Sequence, residues 1–195
     1  MPGGLTAEVD IQRGTLQGDS LSPLLLLIFM EPLLRWLHAG GRGYSPACIE
    51  NDVSHPAYRV SAHAYADDLG VPAGTPENLA IQATKIETYS KWGALKVNPA
   101  KSGISGMLYG DQESGLIDNP LCESSIHMLR QRLKRITIDG HQIPFHHPHT
   151  DPYPYLGVLL TMTLNWTFQR NKVHEAFIAK GEKILKSFAS PTQKM

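Results

Sequence analysis

The sequence predicts an α+β domain in which short hairpins alternate with amphipathic or apolar helices. Residues 58–64 alternate, with Tyr58, Val60, Ala62 and Ala64 on one face and Arg59, Ser61 and His63 on the other. Leu69, Gly70 and Val71 can return before Pro72 stops the strand, so a hairpin with Asp67 and Asp68 at its tip is expected. Two segments carry helix-start signals: Ser22-Pro23 ahead of the run Leu24–Met30, and Thr75-Pro76-Glu77 ahead of a stripe of Leu79, Ala83, Ile86 and Ser90.

Taken in order, Val9-Asp10-Ile11 reads as the end of a strand, and Gly14 and Gly18 permit the turns that follow it. Ser22 is the expected N-cap of a buried helix over Pro23–Trp36. Pro32 should kink that helix or start a second one, because an interior proline costs about 3 kcal/mol. Gly40-Gly41-Arg42-Gly43 ends it, and a loop from Tyr44 to Pro56 leads to the aspartate hairpin. A second helix is expected over Pro76–Tyr89, with Tyr89 and Trp92 beside its buried stripe and Gly93 as its C-cap.

Leu95 and Val97 are expected in a short strand, packed in one antiparallel sheet with the aspartate hairpin and the strand at Tyr155–Val158. The two helices should back that sheet from one face. Residues 106–125 turn to Gly, Asp, Glu, Ser and Pro, which suggests an acidic insertion. Ile126–Leu133 reads as a short helix, and Ile136–Ile143 as a hairpin around Asp139-Gly140. The tail Phe168–Phe188 is amphipathic, with Val173, Phe177, Ile184 and Phe188 as its buried candidates.

With 195 residues and 42% apolar content the chain can build a real core. Its longest apolar run ends at Glu31-Pro32, too short for a bilayer, and no secretory signal opens the sequence. Cys48 and Cys122 lack metal-ligand spacing, which together with the missing signal points to an intracellular protein, nuclear or cytoplasmic. His141, His146, His147 and His149 lie among prolines without the spacing of a closed zinc site and read as a polar loop. Net charge is zero, yet unevenly spread: residues 1–70 hold eight acids and four bases, residues 127–195 ten bases and four acids. The basic half could face phosphates, although lysines on a terminal helix also serve solubility alone.

Two adjacent carboxylates at a tight turn repel each other unless a divalent cation sits between them, so Asp67-Asp68 invites a metal. A solvated turn is the bland alternative. The upstream segment Arg13-Gly14-Thr15-Leu16-Gln17-Gly18-Asp19-Ser20-Leu21-Ser22-Pro23 changes that balance. A Gln-Gly-Asp-x-Leu-Ser-Pro turn feeding an apolar helix, followed by Tyr65-Ala66-Asp67-Asp68, resembles palm motifs B and C of the reverse transcriptases of non-LTR, LINE-type retrotransposons. Gly93–Ser102, with Asn98 and Lys101-Ser102, is similar to motif D. Tyr155-Leu156-Gly157-Val158 is similar to motif E, the primer grip. These four motifs stand in the family's order.

The resemblance implies RNA-directed DNA synthesis by two-metal nucleotidyl transfer, with Mg²⁺ or Mn²⁺ as cofactor and an RNA template, a DNA primer and deoxynucleoside triphosphates as partners. Asp67 would be the main metal ligand and Asp68 its support. Lys101 would protonate the departing pyrophosphate. Gln17, Gly18, Tyr65 and Asn98 would meet template and substrate, and Tyr155, Leu156 and Gly157 would grip the primer, with Gly157 letting strands approach closely. Asp19 reads rather as an acceptor for loop amides.

The family's motif A, which carries the other essential aspartate, has no match. Only residues 1–12 precede Arg13, Asp10 is no substitute, and the fingers are absent too. The expectation is therefore a partial palm over residues 1–165 with the helical start of a thumb or connection over 166–195, weak in metal binding and inactive alone. An apolar sheet edge left open by the missing strand would favour self-association. Alternatives are a non-catalytic nucleic-acid-binding remnant and an inert relic.

Overall fold

The computed structural model describes residues 18–45, 49–50, 53–54, 58–108 and 121–188. Helix α1 (Ser22–Ala39) is followed by the hairpins β1–β2 (Ile49–Glu50, Val53–Ser54) and β3–β4 (His63–Tyr65, Asp68–Gly70), and then by α2 (Pro76–Trp92). A 3₁₀ turn (Pro99–Lys101), α3 (Glu123–Leu133), the hairpins β5–β6 (Thr137–Ile138, His141–Gln142) and β7–β8 (Tyr153–Tyr155, Val158–Leu160) and α4 (Thr167–Phe188) complete the order. The architecture is α+β with small antiparallel sheets, compatible with a partial palm. Contacts divide the chain into two compact units, Met1–Tyr89 and Ser90–Met195. No described helix is long and apolar enough to cross a membrane.

In the first unit α1 starts at Ser22 itself, one residue before the expected start, with Leu21 at the N-cap and no side-chain cap. Asp19 does the local work instead: its Oδ1 accepts from the Leu21 amide at 3.1 Å, the loop-acceptor role expected of it. Pro32 neither ends α1 nor starts a second helix. The residue is exposed, so the carbonyl its missing N–H leaves unpaired can face solvent, and the helix tolerates the loss. Met30, Leu33 and Leu37 form the buried stripe of α1 and cluster with Ala62 and Tyr89; Leu69 and Ile86 pack against the same cluster. Both helices and the β3–β4 hairpin thus share one core.

Helix α2 starts as expected, with Thr75 Oγ1 accepting from the Asn78 amide at 3.1 Å. Two positions depart from the expected stripe. Gln82 is fully buried, its amide donating to the carbonyls of Arg42 and Pro72, while Trp92 is 72% exposed. The C-cap also shifts by one residue. Ala94 rather than Gly93 takes the left-handed conformation (φ 52°), and the Leu95 amide reaches back to Ser90 O at 2.8 Å, closing the helix end.

The expected continuous sheet is not formed among the described residues: the strands make four separate two-stranded ladders. Leu95–Val97 is no strand: the Leu95 amide closes α2, and the chain turns at Asn98 directly after Val97. In the second unit Ile126, Leu129 and Leu133 of α3 are buried, as are Ile136, Ile138 and Ile143 around β5–β6. The Asp139-Gly140 turn has positive φ at both residues (51° and 74°), the hairpin geometry its sequence predicts. The tail is helical, yet Val173, Phe177 and Ile184 are more than half exposed rather than buried. The start of α4 is tied to β8, where Gln169 Oε1 accepts from the Leu159 amide at 2.9 Å. Phe188 has its side chain outside the described residues, as does the whole of residues 109–120 in the acidic insertion.

Candidate functional site

The aspartate hairpin forms, but its first strand is His63–Tyr65 rather than the whole run from Tyr58. Ser61 and Ala62 are both buried, so the expected alternation of faces is not kept. His63, Ala64 and Tyr65 pair with Gly70, Leu69 and Asp68, leaving Ala66-Asp67 as the two-residue turn. Leu69 packs against the core cluster, while Tyr65, Asp67 and Asp68 are exposed at the tip. Among the described residues neither carboxylate takes a hydrogen bond or an ion pair. Ala66 holds φ 52°, a conformation that costs an L-residue about 1–2 kcal/mol. Across the ladder the His63 ring lies over Gly70, where an added Cβ would come within 2.1 Å of the imidazole. That close approach, unread in the sequence, makes Gly70 a packing glycine.

As metal ligands these two side chains have the right chemistry, hard carboxylate oxygens free to turn towards a cation. The number falls short. Among the described residues no group of three His, Cys, Asp or Glu side chains is placed to hold a metal ion. Gly18 takes φ 92° just ahead of α1, with open space where a Cβ would stand, so its backbone conformation rather than crowding calls for glycine. Gln17 lies outside the described residues.

The motif D residues form a self-contained turn. Asn98 Oδ1 accepts from the Ala100 amide at 3.1 Å, and Ser102 Oγ donates to Asn98 O at 2.9 Å. Lys101 is exposed on this turn, and its carbonyl accepts from the Tyr153 hydroxyl, joining the turn to β7. Tyr155, Leu156 and Gly157 sit at the β7–β8 hairpin, with Leu156-Gly157 as the turn. Both turn residues have positive φ (49° and 81°), and nothing lies within 4 Å of the position a Gly157 Cβ would take. Gly157 therefore serves turn geometry, not the close strand approach expected of it. Its carbonyl accepts from Lys172 Nζ at 3.1 Å.

The histidine loop uses its rings internally. The amides of His149 and Thr150 both donate to His147 Nδ1 at 3.2 Å, His149 Nδ1 meets Thr163 Oγ1 at 2.8 Å, and His146 packs edge-on against Tyr153. A further group was not singled out from the sequence. Cys122, at the N-cap of α3, has its thiol brought down to about 7 by hydrogen bonds with the Ser124 and Ser125 hydroxyls. The Cys-Glu-Ser-Ser run was the available signal.

A search of curated proteins and a search of solved structures each give no match. The family model for reverse transcriptase (RNA-dependent DNA polymerase) matches residues 3–160, most of the chain. Enzymes of this family copy a nucleic-acid template using nucleotide substrates. With so much of its length matched, the chain belongs to the reverse transcriptase family.

Proposed function

We propose that the chain is a palm section of a non-LTR retrotransposon reverse transcriptase, with residues 1–165 as palm and 166–195 as the start of a thumb or connection. The observation that carries this reading is the β3–β4 tip: two exposed carboxylates, without partners among the described residues, on a strained turn rooted in the core. A divalent ion held there would supply charge neutralisation and activation of the primer hydroxyl. Asp67 is the principal ligand and Asp68 the supporting one, Mg²⁺ or Mn²⁺ being the ion.

Tyr65 flanks the incoming nucleotide, and Gln17 with Gly18 meets template and base pair. Lys101, exposed on a turn held by Asn98, donates a proton to the departing pyrophosphate. Tyr155-Leu156-Gly157 lies against the primer backbone. RNA template, DNA primer and deoxynucleoside triphosphates are the partners.

Two carboxylates hold a divalent ion only weakly, so the 195-residue chain alone extends no primer. Calorimetric titration with Mn²⁺ should show weak binding that Asp67→Asn, Asp68→Asn removes. Tight binding that survives the double substitution would place the metal elsewhere. In primer extension on an RNA template, Asp67-dependent incorporation by the chain alone would overturn the inactivity, and restoration by an added fragment supplying the motif A aspartate would support the assignment. A second reading, a non-catalytic nucleic-acid-binding remnant, is favoured by the ten bases against four acids in residues 127–195. Template–primer binding that no complementing fragment converts into extension would select it.

A further inference from the structure

A cavity of about 220 Å³ opens in the second unit, between α3 and the segment that follows β6, and none of the site residues discussed above lines it. Arg130 and Lys134, one helical turn apart on α3, line it together with Phe145 and Gln142, over an apolar base of Leu133 and Ile143. The Arg130 guanidinium stands 6.0 Å from the centre of the Phe145 ring. No carboxylate lines the cavity, and among the described residues neither cation has an acidic partner. Phe145 is held in place by the backbone, since Ile104 bridges this segment through the Pro144 carbonyl and the His146 amide at 2.9 and 2.8 Å.

Two cations at the end of α3 also complement the helix dipole, and that alone would justify their presence. The dipole accounts for roughly half a negative charge, however, against two full positive ones, so the cavity keeps a net positive field. An apolar, aromatic-walled space with that field fits a planar group bearing an anion. Its volume is below the roughly 300 Å³ at which pockets for drug-sized ligands begin, which suits one unit of a polymer better than a whole ligand.

We propose that this cavity takes one nucleotide unit of single-stranded nucleic acid, its base against Phe145, its base edge within reach of the Gln142 amide and its phosphate on Arg130 and Lys134. The subsite is independent of the metal ligands and works without a divalent ion. Base stacking on an aromatic side chain tolerates any sequence, so the site binds strands without reading them.

The test is fluorescence anisotropy of a labelled 12-nucleotide oligouridylate with the full 195-residue chain in EDTA, over a salt series. Arg130→Gln, Lys134→Gln should weaken binding about tenfold and flatten the salt slope by about 0.7–1.4, as expected for one or two lost phosphate contacts on a single strand. Phe145→Leu should weaken it at least about fivefold with the slope unchanged. Lys180→Gln, Lys183→Gln on α4 serves as the control for unspecific charge and should change affinity about twofold or less. Both charge pairs are exposed, and circular dichroism verifies that each variant folds; the single Lys134→Gln replaces the pair if it does not. No binding by the parent chain, or an equal loss in the α4 control, would overturn the proposal. Displacement of the strand by an equimolar mononucleotide would assign the cavity to free nucleotides and overturn the strand assignment. Because the assay contains no divalent ion, its outcome is separate from that of the Asp67 and Asp68 experiments.

Discussion

The hairpins β3–β4 and β7–β8 each pair three residues with three across a two-residue turn, and each puts an L-residue in left-handed backbone at the first turn position, Ala66 and Leu156. Beyond that they part. In β7–β8 the second turn position is Gly157, which accepts its positive φ without cost from a Cβ, and Lys172, Gln169 and Tyr153 tie the hairpin to its surroundings. In β3–β4 the second position is Asp67, and neither the Asp67 nor the Asp68 side chain has a partner among the described residues. β5–β6 uses Asp139-Gly140, the pair that hairpin geometry favours. Turn chemistry serves folding at two tips and is given up at the third. A left-handed L-residue opens all three turns, so the exposed carboxylates without partners among the described residues, and not strain, are what motivates a functional assignment at β3–β4.

The largest expected contrast between the two tips is in their response to metal. Substoichiometric Mn²⁺ should broaden away the amide NMR signals of residues 66–69 while those of residues 156–158 remain. Equal broadening at both tips would end the distinction. Next in size is the support behind β3–β4. Gly43 packs against the chain entering β3, and an added Cβ would lie 2.1 Å from the Val60 carbonyl oxygen, a backbone atom that cannot rotate aside. Gly43→Ala should therefore break the Tyr44–Val60 bridge and cost about 3 kcal/mol in denaturant unfolding, the upper range for overpacking. A neutral result would show that the bridge does not hold the hairpin.

At the other tip, Gly157→Val meets open space and only a backbone penalty, so a loss of about 1–2 kcal/mol is expected. The smallest effect has the opposite sign. Ala66→Gly relieves left-handed strain of about 1–2 kcal/mol and adds about 0.5–1 kcal/mol of chain entropy, a net gain of about 0.5 kcal/mol. A destabilised Ala66→Gly variant would mean that the tip is not strained.

Much of this was legible because it is local. The Asp67 and Asp139-Gly140 tips, the Thr75 cap of α2 and the Asp19 acceptor ahead of α1 all rest on interactions spanning a few residues, which neighbouring side chains decide. The same holds for the four ordered segments that resemble the family's motifs. Burial and pairing were not legible in this way. α1 is apolar nearly all round from Leu24 to Met30, so periodicity could not tell that Met30, Leu33 and Leu37 would be covered while Leu27 and Ile28 stay more than half exposed. Gln82 reads as a surface residue until the carbonyls of Arg42 and Pro72 converge on it from 40 and 10 residues away. Leu95–Val97 has strand composition, yet it forms no ladder, its Leu95 amide closing α2 and the Asn98 turn following at once. The cavity beside Arg130 depends on Ile104 meeting the Pro144–His146 segment, a contact that no window of sequence contains. Local chemistry set the turns, the caps and the carboxylate tip, whereas which faces are covered and which cations line a cavity was decided only when distant segments met, because burial is a property of pairs of surfaces and not of any one stretch of chain.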